Sequence, residues 1–358
     1  MGEVMEQAAG AMQAGERRHR GPSRDSGFFA ALDLGTNNCR LLIARPTRQN
    51  FHVVDAFSRI VRLGEGLGGS GALSEAAMAR ALDALAVCAG KLRRRRVTRV
   101  RAIATEACRQ ASNGALFLQR VRETTGIELE IISPQEEAAL TLTGCAPLFD
   151  QRRRHALVFD IGGGSTEVSH LRVMPGGQGC RLAPQAFASL PFGVVTLVER
   201  YGPAAATREG FDAIVSEMSS ALEQAFGDQT LLPEMRADQV QMLGSSGTVT
   251  TLTGMHLRLP RYDRRRVDGA TLSRVAIDRL LGEILAMTPE ERARNPCIGP
   301  QRAEFVVSGC AILAALCRRF PVARLRVADR GVREGILLSL MRQPGMPLPV
   351  DAREMTSA

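Results

Sequence analysis

Apolar and polar positions along the chain form two successive rounds of one pattern. The first round begins at Phe28 with an apolar strand that carries Asp33 near its end, followed by a short polar turn and a second apolar strand. Strand-like alternation and helix-like spacing then continue in the order βββαβαβ. The predicted strands are 28–34, 39–45, 51–63, 97–104 and 127–132, and the predicted helices are 74–92 and 112–124.

The second round begins in the same way, with a strand ending in Asp160, a glycine-rich turn and another apolar strand. Strands are predicted at 156–160, 166–171, 185–190, 240–243 and 325–328, and helices at 194–201, 209–226, 248–257, 272–286, 302–319 and 332–341. Because both rounds open with an Asp-x-Gly hairpin, we predict a duplicated α/β unit whose two hairpins face each other across a cleft.

The same pattern predicts domain limits. Residues 1–27 are polar, contain several arginines and lack the apolar segment of a signal peptide, so they are expected to form a disordered tail. The first domain is predicted at 28–133 and the second at 134–330. The final helix at 331–342 could pack back on the first domain, and 343–358 are expected to form a flexible tail.

Composition narrows the classes of function. The chain of 358 residues has a net charge of +9, and Lys91 is its only lysine, which excludes a P-loop lysine and makes Schiff-base chemistry very unfavourable. The 8 cysteines form no CxxC pair and the 5 histidines no zinc-binding spacing, which fits a reducing cytoplasm. No run approaches the roughly 18 apolar residues of a membrane helix. Aromatic residues are only 4%, which disfavours nucleic-acid binding.

The glycine turn of the second hairpin is the first candidate site. Asp160 and Glu167 bracket a run that contains three successive glycines, Gly162–Gly164. Glycines leave backbone N–H groups uncovered and permit a tight turn that can surround an anion. A divalent metal held by carboxylate and bridged to phosphate is therefore a natural occupant. A glycine-rich hairpin with solvated acids remains the alternative.

A helix start supplies a candidate base. Ser133 at the N-cap, Pro134 at the first position and Glu136 at the third predict a capping box. Glu137 has no such structural role and projects about 100° away from Glu136 around the helix. We therefore predict Glu137, at the junction of the two halves, as the general base.

Three further segments could contact an anion. Arg109 follows the fourth strand and could clamp a phosphate, or lie on a helix surface. Residues 244–248 join a strand to a helix with small side chains, which forms a weak signal for an anion site. The cluster Arg264, Arg265 and Arg266 could guide a long polyanion or be merely solvated.

Together these residues resemble the Ppx/GppA phosphatase family (exopolyphosphatases and guanosine pentaphosphate phosphatases) of the actin, heat-shock-chaperone and sugar-kinase superfamily. The resemblance extends from about Phe28 to Arg342. It rests on motifs that occur in order, namely Asp33–Asn38, Ala104–Arg109, Ile132–Ala138, Asp160–Glu167, Leu190–Gly193, Gly244–Thr248 and Arg333–Gly335. It implies two duplicated RNase H-like (actin-like ATPase) domains around an interdomain cleft, in a short form of the family.

The resemblance also implies an activity. We expect a phosphoanhydride hydrolase, an exopolyphosphatase that removes terminal orthophosphate from inorganic polyphosphate. The alternatives are a guanosine pentaphosphate 5′-phosphatase, a non-hydrolytic polyphosphate-binding regulator, and an ATP-driven chaperone or filament protein. The implied cofactor is Mg²⁺ or Mn²⁺, with a monovalent cation left open. A cytoplasmic homodimer without nucleic-acid or membrane partners is expected.

Site residues follow by position. Glu137 resembles the family's catalytic base, Asp160 and Glu167 its essential carboxylates, and Asp33 joins those two as a candidate metal ligand. The candidate phosphate-binding residues are Gly35, Thr36, Asn37, Asn38, Arg109, Gly162, Gly163, Gly164, Ser165, Gly244, Ser246, Gly247 and Thr248. The sequence departs from the family at Ala139, where arginine is usual, and the consequence for substrate contact is left open.

Overall fold

The protein is described by a computed structural model covering residues 27–48, 50–176, 179–227, 234–235, 238–342, 349–350 and 352–355. It contains two α/β units, each built on one sheet. The strands of the first sheet are β1 Phe28–Leu34, β2 Asn38–Pro46, β3 Phe51–Ile60, β4 Val97–Ala104 and β5 Leu129–Ile131. They lie in the order β3-β2-β1-β4-β5, with β1 antiparallel to β2 and parallel to β4.

The second sheet repeats this arrangement. Its strands are β6 His155–Ile161, β7 Thr166–Gly176, β8 Gly179–Leu190, β9 Val240–Ser246, β10 Thr271–Ser273 and β11 Arg324–Ala328. The series β8-β7-β6-β9-β11 has the order and strand directions of the first sheet, and β10 adds an antiparallel edge strand. The duplicated two-domain α/β fold predicted from the paired hairpins is therefore confirmed.

Helices cover these sheets. Those of the first unit are α1 Leu67–Ser70, α2 Glu75–Arg94, α3 Glu106–Gln110 and α4 Gly114–Thr125. Those that follow are α5 Pro134–Cys145, α6 Val194–Tyr201, α7 Arg208–Phe226, α8 Gly247–His256, α9 Arg264–Val267, α10 Arg274–Ala286, α11 Pro289–Arg294, α12 Val306–Arg319 and α13 Val332–Met341. Helices α1, α3, α9 and α11 were not predicted, because four to six residues are too short to show helical periodicity.

Helices α5 and α13 pack closely together beside the first sheet. A Cβ atom on Gly335 would lie 1.9 Å from the Leu140 carbonyl oxygen, and one on Gly144 would lie 2.1 Å from the Gly331 carbonyl oxygen. Only glycine permits this approach. Helix α13 also contacts β1, and Ile336 is fully buried there with residues of the first sheet. This packing brings the N-termini of both helices to the region between the two units.

Only part of each predicted tail belongs to the described residues. Apart from Gly27, the predicted N-terminal tail lies outside the described residues. Of the predicted C-terminal tail, Val350 and Met355 are buried, and the Leu182 N–H donates to the Pro349 carbonyl oxygen at 2.9 Å. The prediction of a flexible tail is wrong for these residues, because their apolar side chains pack against the second unit. Among the described helices, none has the length and apolar character required to cross a membrane.

Candidate active site

A cleft of about 440 Å³ lies between the two units, and the turns of both hairpins line it. In the first turn the Gly35 N–H donates to the Asn38 carbonyl oxygen at 2.9 Å. In the second turn the Gly162 N–H donates to the Ser165 carbonyl oxygen, also at 2.9 Å. The duplication predicted from the sequence therefore extends to the closing hydrogen bond of each turn.

The two turns also touch each other. A Cβ atom on Gly163 would lie 3.1 Å from the Thr36 Cβ and 3.2 Å from the Asn37 nitrogen. One on Gly164 would lie 2.8 Å from the Thr36 Oγ1. The absence of side chains at both positions is what lets the turns meet, so the two hairpins form one continuous surface at this end of the cleft.

Backbone carbonyl groups of the first turn are bound by the segment that follows β3. The Thr36 carbonyl oxygen accepts from the Gly64 N–H at 2.9 Å. The Asn37 carbonyl oxygen accepts from the N–H groups of Val61 and Arg62, at 2.9 and 3.1 Å. Among the described residues, the N–H groups of Thr36 and Asn37 themselves have no acceptor.

The second turn is held in the same way by the first residues of α6. The Val194 N–H donates to the Gly162 carbonyl oxygen at 3.0 Å, and the Val195 N–H donates to the Gly163 carbonyl oxygen at 2.9 Å. Within the described part of the chain, the N–H groups of Gly163 and Gly164 have no acceptor. Each turn therefore presents uncompensated N–H groups at the cleft, which is the arrangement that binds phosphate oxygens.

Two carboxylates end the central strands of the sheets. Asp33 on β1 and Asp160 on β6 both line the cleft, and neither has a hydrogen bond or ion pair among the described residues. Burial raises the pKa of Asp33. Burial also raises the pKa of Asp160 to about 8, and the negative charge of Glu167 adds to this rise. A nearby cation would favour the charged form of both carboxylates.

Glu137 lies in the first turn of α5. As predicted, Ser133 caps this helix, accepting the Glu136 N–H at 3.1 Å, and Pro134 occupies the first position. The predicted capping box is incomplete, because the Glu136 carboxylate pairs with Arg101 instead of the Ser133 N–H. The Glu137 side chain, 17% exposed, reaches the cleft.

The electrostatic surroundings of Glu137 suit a proton acceptor. Burial raises its pKa well above the ordinary value, the nearby negative charge of Glu167 raises it further, and Arg109 opposes both effects. A carboxylate with a raised pKa is a stronger base near neutral pH than an ordinary glutamate.

Arg109, which the sequence predicted as a phosphate ligand, lies behind Glu137 and does not itself line the cleft, so that role stays a prediction. Its Nη1 and Nη2 lie 3.2 and 3.3 Å from the Glu137 Oε2. Its Nε and Nη2 also donate to the Glu106 Oε2, at 3.0 and 2.5 Å, and its Nη1 to the Ile132 carbonyl oxygen at 2.6 Å. Its donors are thus engaged by the protein, and its position serves to orient Glu137.

Replacing this arginine should move the pH dependence of activity. Because the positive charge of Arg109 lowers the pKa of Glu137, Arg109→Gln is expected to raise that pKa. A base must be deprotonated to act, so activity rises with pH through this pKa, and the acid limb of the kcat/KM profile should shift to higher pH. Profiles of wild type and variant between pH 5 and about 9 would measure the shift; identical limbs would contradict it.

Glu167 is buried behind the second turn. Its Oε1 accepts from the Ser165 Oγ at 2.7 Å and the Ser189 Oγ at 2.8 Å, and the residue is 6% exposed. It does not line the main cleft. Together with Glu137 and Asp160 it borders a separate cavity of about 10 Å³, roughly the space of one water molecule. The Glu167 Oε1 is thus held by two hydroxyl groups, and the role of this residue as a metal ligand stays a prediction.

Residues of the glycine-rich segment 244–248 differ in whether they line the cleft. Residues 246–248 line the cleft at the start of α8, and the Ser246 Oγ accepts the Val249 N–H at 3.2 Å. Gly244 does not line the cleft. A Cβ atom there would lie 2.5 Å from the Phe159 Cζ, so this glycine makes room for an aromatic ring. Gly244 thus lies apart from residues 246–248, and its role as a phosphate ligand stays a prediction.

The three arginines of the basic cluster 264–266 lie in different surroundings. Arg264 lines the cleft, but its Nη2 donates to the Glu334 Oε1 at 2.6 Å and to the Asp329 carbonyl oxygen at 2.5 Å. The Arg265 side chain is 92% exposed, and Arg266 is also exposed. Neither lines the cleft. One arginine is thus paired with Glu334 and the other two lie outside the cleft, so their joint role as a guide stays a prediction.

Three arginines of the cleft were not predicted from the sequence. Arg302 lines the cleft and donates from its Nη1 to the Thr251 Oγ1 at 3.1 Å. Arg40 and Arg333 also line it, and neither has a hydrogen bond or ion pair among the described residues. Arg40 lies directly opposite Asp33 in the pairing of β1 with β2. The hairpin pattern therefore contained a signal that would have placed Arg40 beside the predicted site. These cations balance the carboxylates and suit an anionic ligand.

A duplicated pair of α/β units around an anion-binding cleft is the architecture of the actin-like class. Within this class the chain belongs to the Ppx/GppA phosphatase family, whose sequence model matches residues 42–343.

Known relatives agree with this assignment. Exopolyphosphatase 2 of Mycobacterium tuberculosis is 31% identical over 336 residues, which cover 87% of this chain and 98% of the relative. Guanosine-5'-triphosphate,3'-diphosphate pyrophosphatase of Photobacterium profundum is 30% identical over 328 residues, 88% of this chain but only 60% of that protein. The chain thus spans less than two thirds of this longer relative. The crystal structure of the Aquifex aeolicus family member has 27% identity and a TM-score of 0.71, with 88% and 97% of the two chains covered.

Proposed function

We propose that the protein is an exopolyphosphatase, which hydrolyses the terminal phosphoanhydride bond of inorganic polyphosphate. The observation that carries this proposal is the pair of touching turns, whose free N–H groups lie in the same cleft as Glu137. The similarity to the Mycobacterium tuberculosis exopolyphosphatase, which is covered over 98% of its length, supports it.

In the proposed reaction the N–H groups of both turns bind nonbridging oxygens of the terminal phosphates. Arg40 and Arg333 offset the negative charge of the chain. Glu137 accepts a proton from a water molecule as its oxygen attacks phosphorus in line. The new bond joins the water oxygen to phosphorus, the anhydride bond breaks, and the shortened polyphosphate leaves with the electron pair on its terminal oxygen.

The residues of the cleft fit one divalent metal ion, which we propose to be Mg²⁺ or Mn²⁺. Among the residues that the structure describes, the carboxylates of Asp33 and Asp160 are unpaired, and the Asn37 Oδ1 is buried without a hydrogen-bond partner. Within the described residues no three acidic, histidine or cysteine side chains cluster as ligands. That agrees with Mg²⁺, which typically takes one or two carboxylates and completes its shell with water and phosphate. A bound ion would neutralise charge on the phosphate oxygens.

Other sequence-based expectations stay predictions. These are a monovalent cation, a homodimer and a cytoplasmic location.

The second candidate is a guanosine pentaphosphate 5′-phosphatase, which the similarity to the Photobacterium profundum enzyme favours. Initial rates of orthophosphate release from long-chain polyphosphate, guanosine pentaphosphate and ATP would separate the two. We expect the highest kcat/KM with polyphosphate. A higher value with the nucleotide would favour the second candidate, and tight polyphosphate binding without any release would indicate a non-hydrolytic regulator.

A further inference from the structure

The segment that follows β3 reaches from the first unit to the second. The Arg62 Nη2 lies 2.9 Å from the Glu304 Oε1, and the guanidinium carbon of Arg62 lies 5.4 Å from the centre of the Phe305 ring. Four residues later, the Gly66 N–H donates to the Glu199 Oε1 at 2.7 Å. We name these five residues the interunit bridge.

The first-unit end of the bridge is joined to the phosphate-binding turn. The N–H of Arg62 donates to the Asn37 carbonyl oxygen, and the nearby Gly64 N–H donates to that of Thr36. The backbone of Arg62 is left-handed, with φ of 47°, a conformation that residues other than glycine rarely adopt. Such strain persists where surrounding contacts fix the residue, and it clusters at functional sites. One residue thus holds the turn with its backbone and the second unit with its side chain.

The second-unit end of the bridge adjoins the opposite side of the cleft. Glu304 and Phe305 immediately precede α12, and Phe305 itself lines the cleft together with Arg302. Arg62 therefore connects the first turn directly to a surface that faces it across the cleft. The distance between these two surfaces determines whether one ligand can contact both.

We propose that Arg62 is a positioning residue that holds the two units at the separation required for a chain of several phosphates to contact the turns and the α12 side together. The proposal deepens the proposed function and rests on it. Without the side chain of Arg62, the cleft opens more often, and only the fraction of molecules with the correct separation binds substrate tightly. The apparent affinity falls in proportion to that fraction, whereas turnover of the bound complex changes little.

Arg62→Gly tests the side chain without damaging the backbone, because glycine adopts φ near 47° readily. With tripolyphosphate as substrate, KM is expected to rise about 10-fold, because the variant loses one half-exposed ion pair and one cation–π contact. The value of kcat should stay within about twofold of wild type. Arg258→Gly is the matched control: Arg258 is also left-handed, with φ of 50°, but it is exposed and outside the bridge. Its KM should be unchanged. An unchanged KM for Arg62→Gly overturns the proposal.

Two further variants test whether Arg62 acts through Glu304. Because Arg62 and Glu304 act through one contact, the double variant Arg62→Gly, Glu304→Gln should raise KM no more than Arg62→Gly alone. Arg62→Lys, which keeps the positive charge, should recover a large part of the affinity. Multiplicative losses in the double variant, or no recovery with lysine, would show that Arg62 does not act through Glu304.

Small-angle X-ray scattering gives a readout that does not depend on activity. The radius of gyration of Arg62→Gly without ligand should exceed that of wild type, and saturating tripolyphosphate should remove the difference. Equal radii of gyration in the two proteins would overturn the proposed role of Arg62 even if the variant is active. An increased radius in a protein that hydrolyses no polyphosphate would support the bridge and refute the proposed function instead.

Discussion

Glu137→Gln is expected to lower kcat for polyphosphate hydrolysis by about 10²- to 10⁴-fold, the usual contribution of a general base. Glutamine keeps the size of the side chain and can still accept a hydrogen bond from Arg109, whose Nη1 lies 3.2 Å from the Glu137 Oε2. It cannot take up a proton. Since Glu137 is proposed to act on water and not to bind phosphate, KM should remain near the wild-type value. Steady-state release of orthophosphate at saturating polyphosphate measures the effect.

The neighbouring glutamate supplies the control. Glu136 lies in the same helical turn, but its carboxylate pairs with Arg101, and it does not line the cleft. Glu136→Gln should therefore retain activity within a few-fold of wild type. Equal losses in the two variants would indicate damage to the start of α5, and a wild-type kcat in Glu137→Gln would place the base elsewhere.

The sequence predicted the features that depend on local chemistry. Both hairpins were found because each combines apolar strands with an Asp-x-Gly turn, and the resulting sheets have the same strand order. The start of α5 was predicted from the side chain of Ser133 and the ring of Pro134, which act within one turn of helix. Such signals need no knowledge of the rest of the chain.

Roles that depend on distant partners could not be predicted. Arg109 was assigned to phosphate because it follows β4, and its contacts with Ile132 and Glu137 form only after folding. Glu167 was assigned to a metal, and the hydrogen bond that its Oε1 accepts from Ser189 on the neighbouring strand β8 had no signal in the sequence. In both cases the sequence identified a charged residue of the site, but only the folded structure shows which groups its side chain contacts.

The glycines show the same distinction between local features, which the sequence predicts, and contacts with distant residues, which it does not. The glycines of the second turn were predicted to expose backbone N–H groups, and those of Gly163 and Gly164 have no acceptor among the described residues. The close contact of these two residues with the first turn had no signal in the sequence. Gly193 was noted only as part of a family motif. The structure shows its role, because the backbone of Gly163 and Gly164 lies against it and leaves no room for a side chain.

Gly193→Ala is expected to lower kcat/KM for polyphosphate by about 100-fold. An added Cβ would lie 2.2 Å from the Gly163 carbonyl oxygen, 2.3 Å from the Gly163 carbonyl carbon and 2.4 Å from the Gly164 carbonyl carbon. All three atoms belong to the backbone, so the clash cannot be relieved by rotating a side chain, and the second turn must move. A displacement of about 1 Å in a group that positions substrate costs on the order of 100-fold in rate.

Gly282→Ala is the matched control, since a Cβ on that helical glycine meets no atom within 4 Å. This change should leave kcat/KM unaltered and stabilise the fold by about 0.5–1 kcal/mol, because alanine loses less backbone entropy in a helix. Thermal unfolding of both variants distinguishes a displaced turn from a protein that fails to fold. A folded Gly193→Ala enzyme with wild-type kcat/KM would mean that the second turn does not bind the reacting phosphate, since its N–H groups could not have kept their positions.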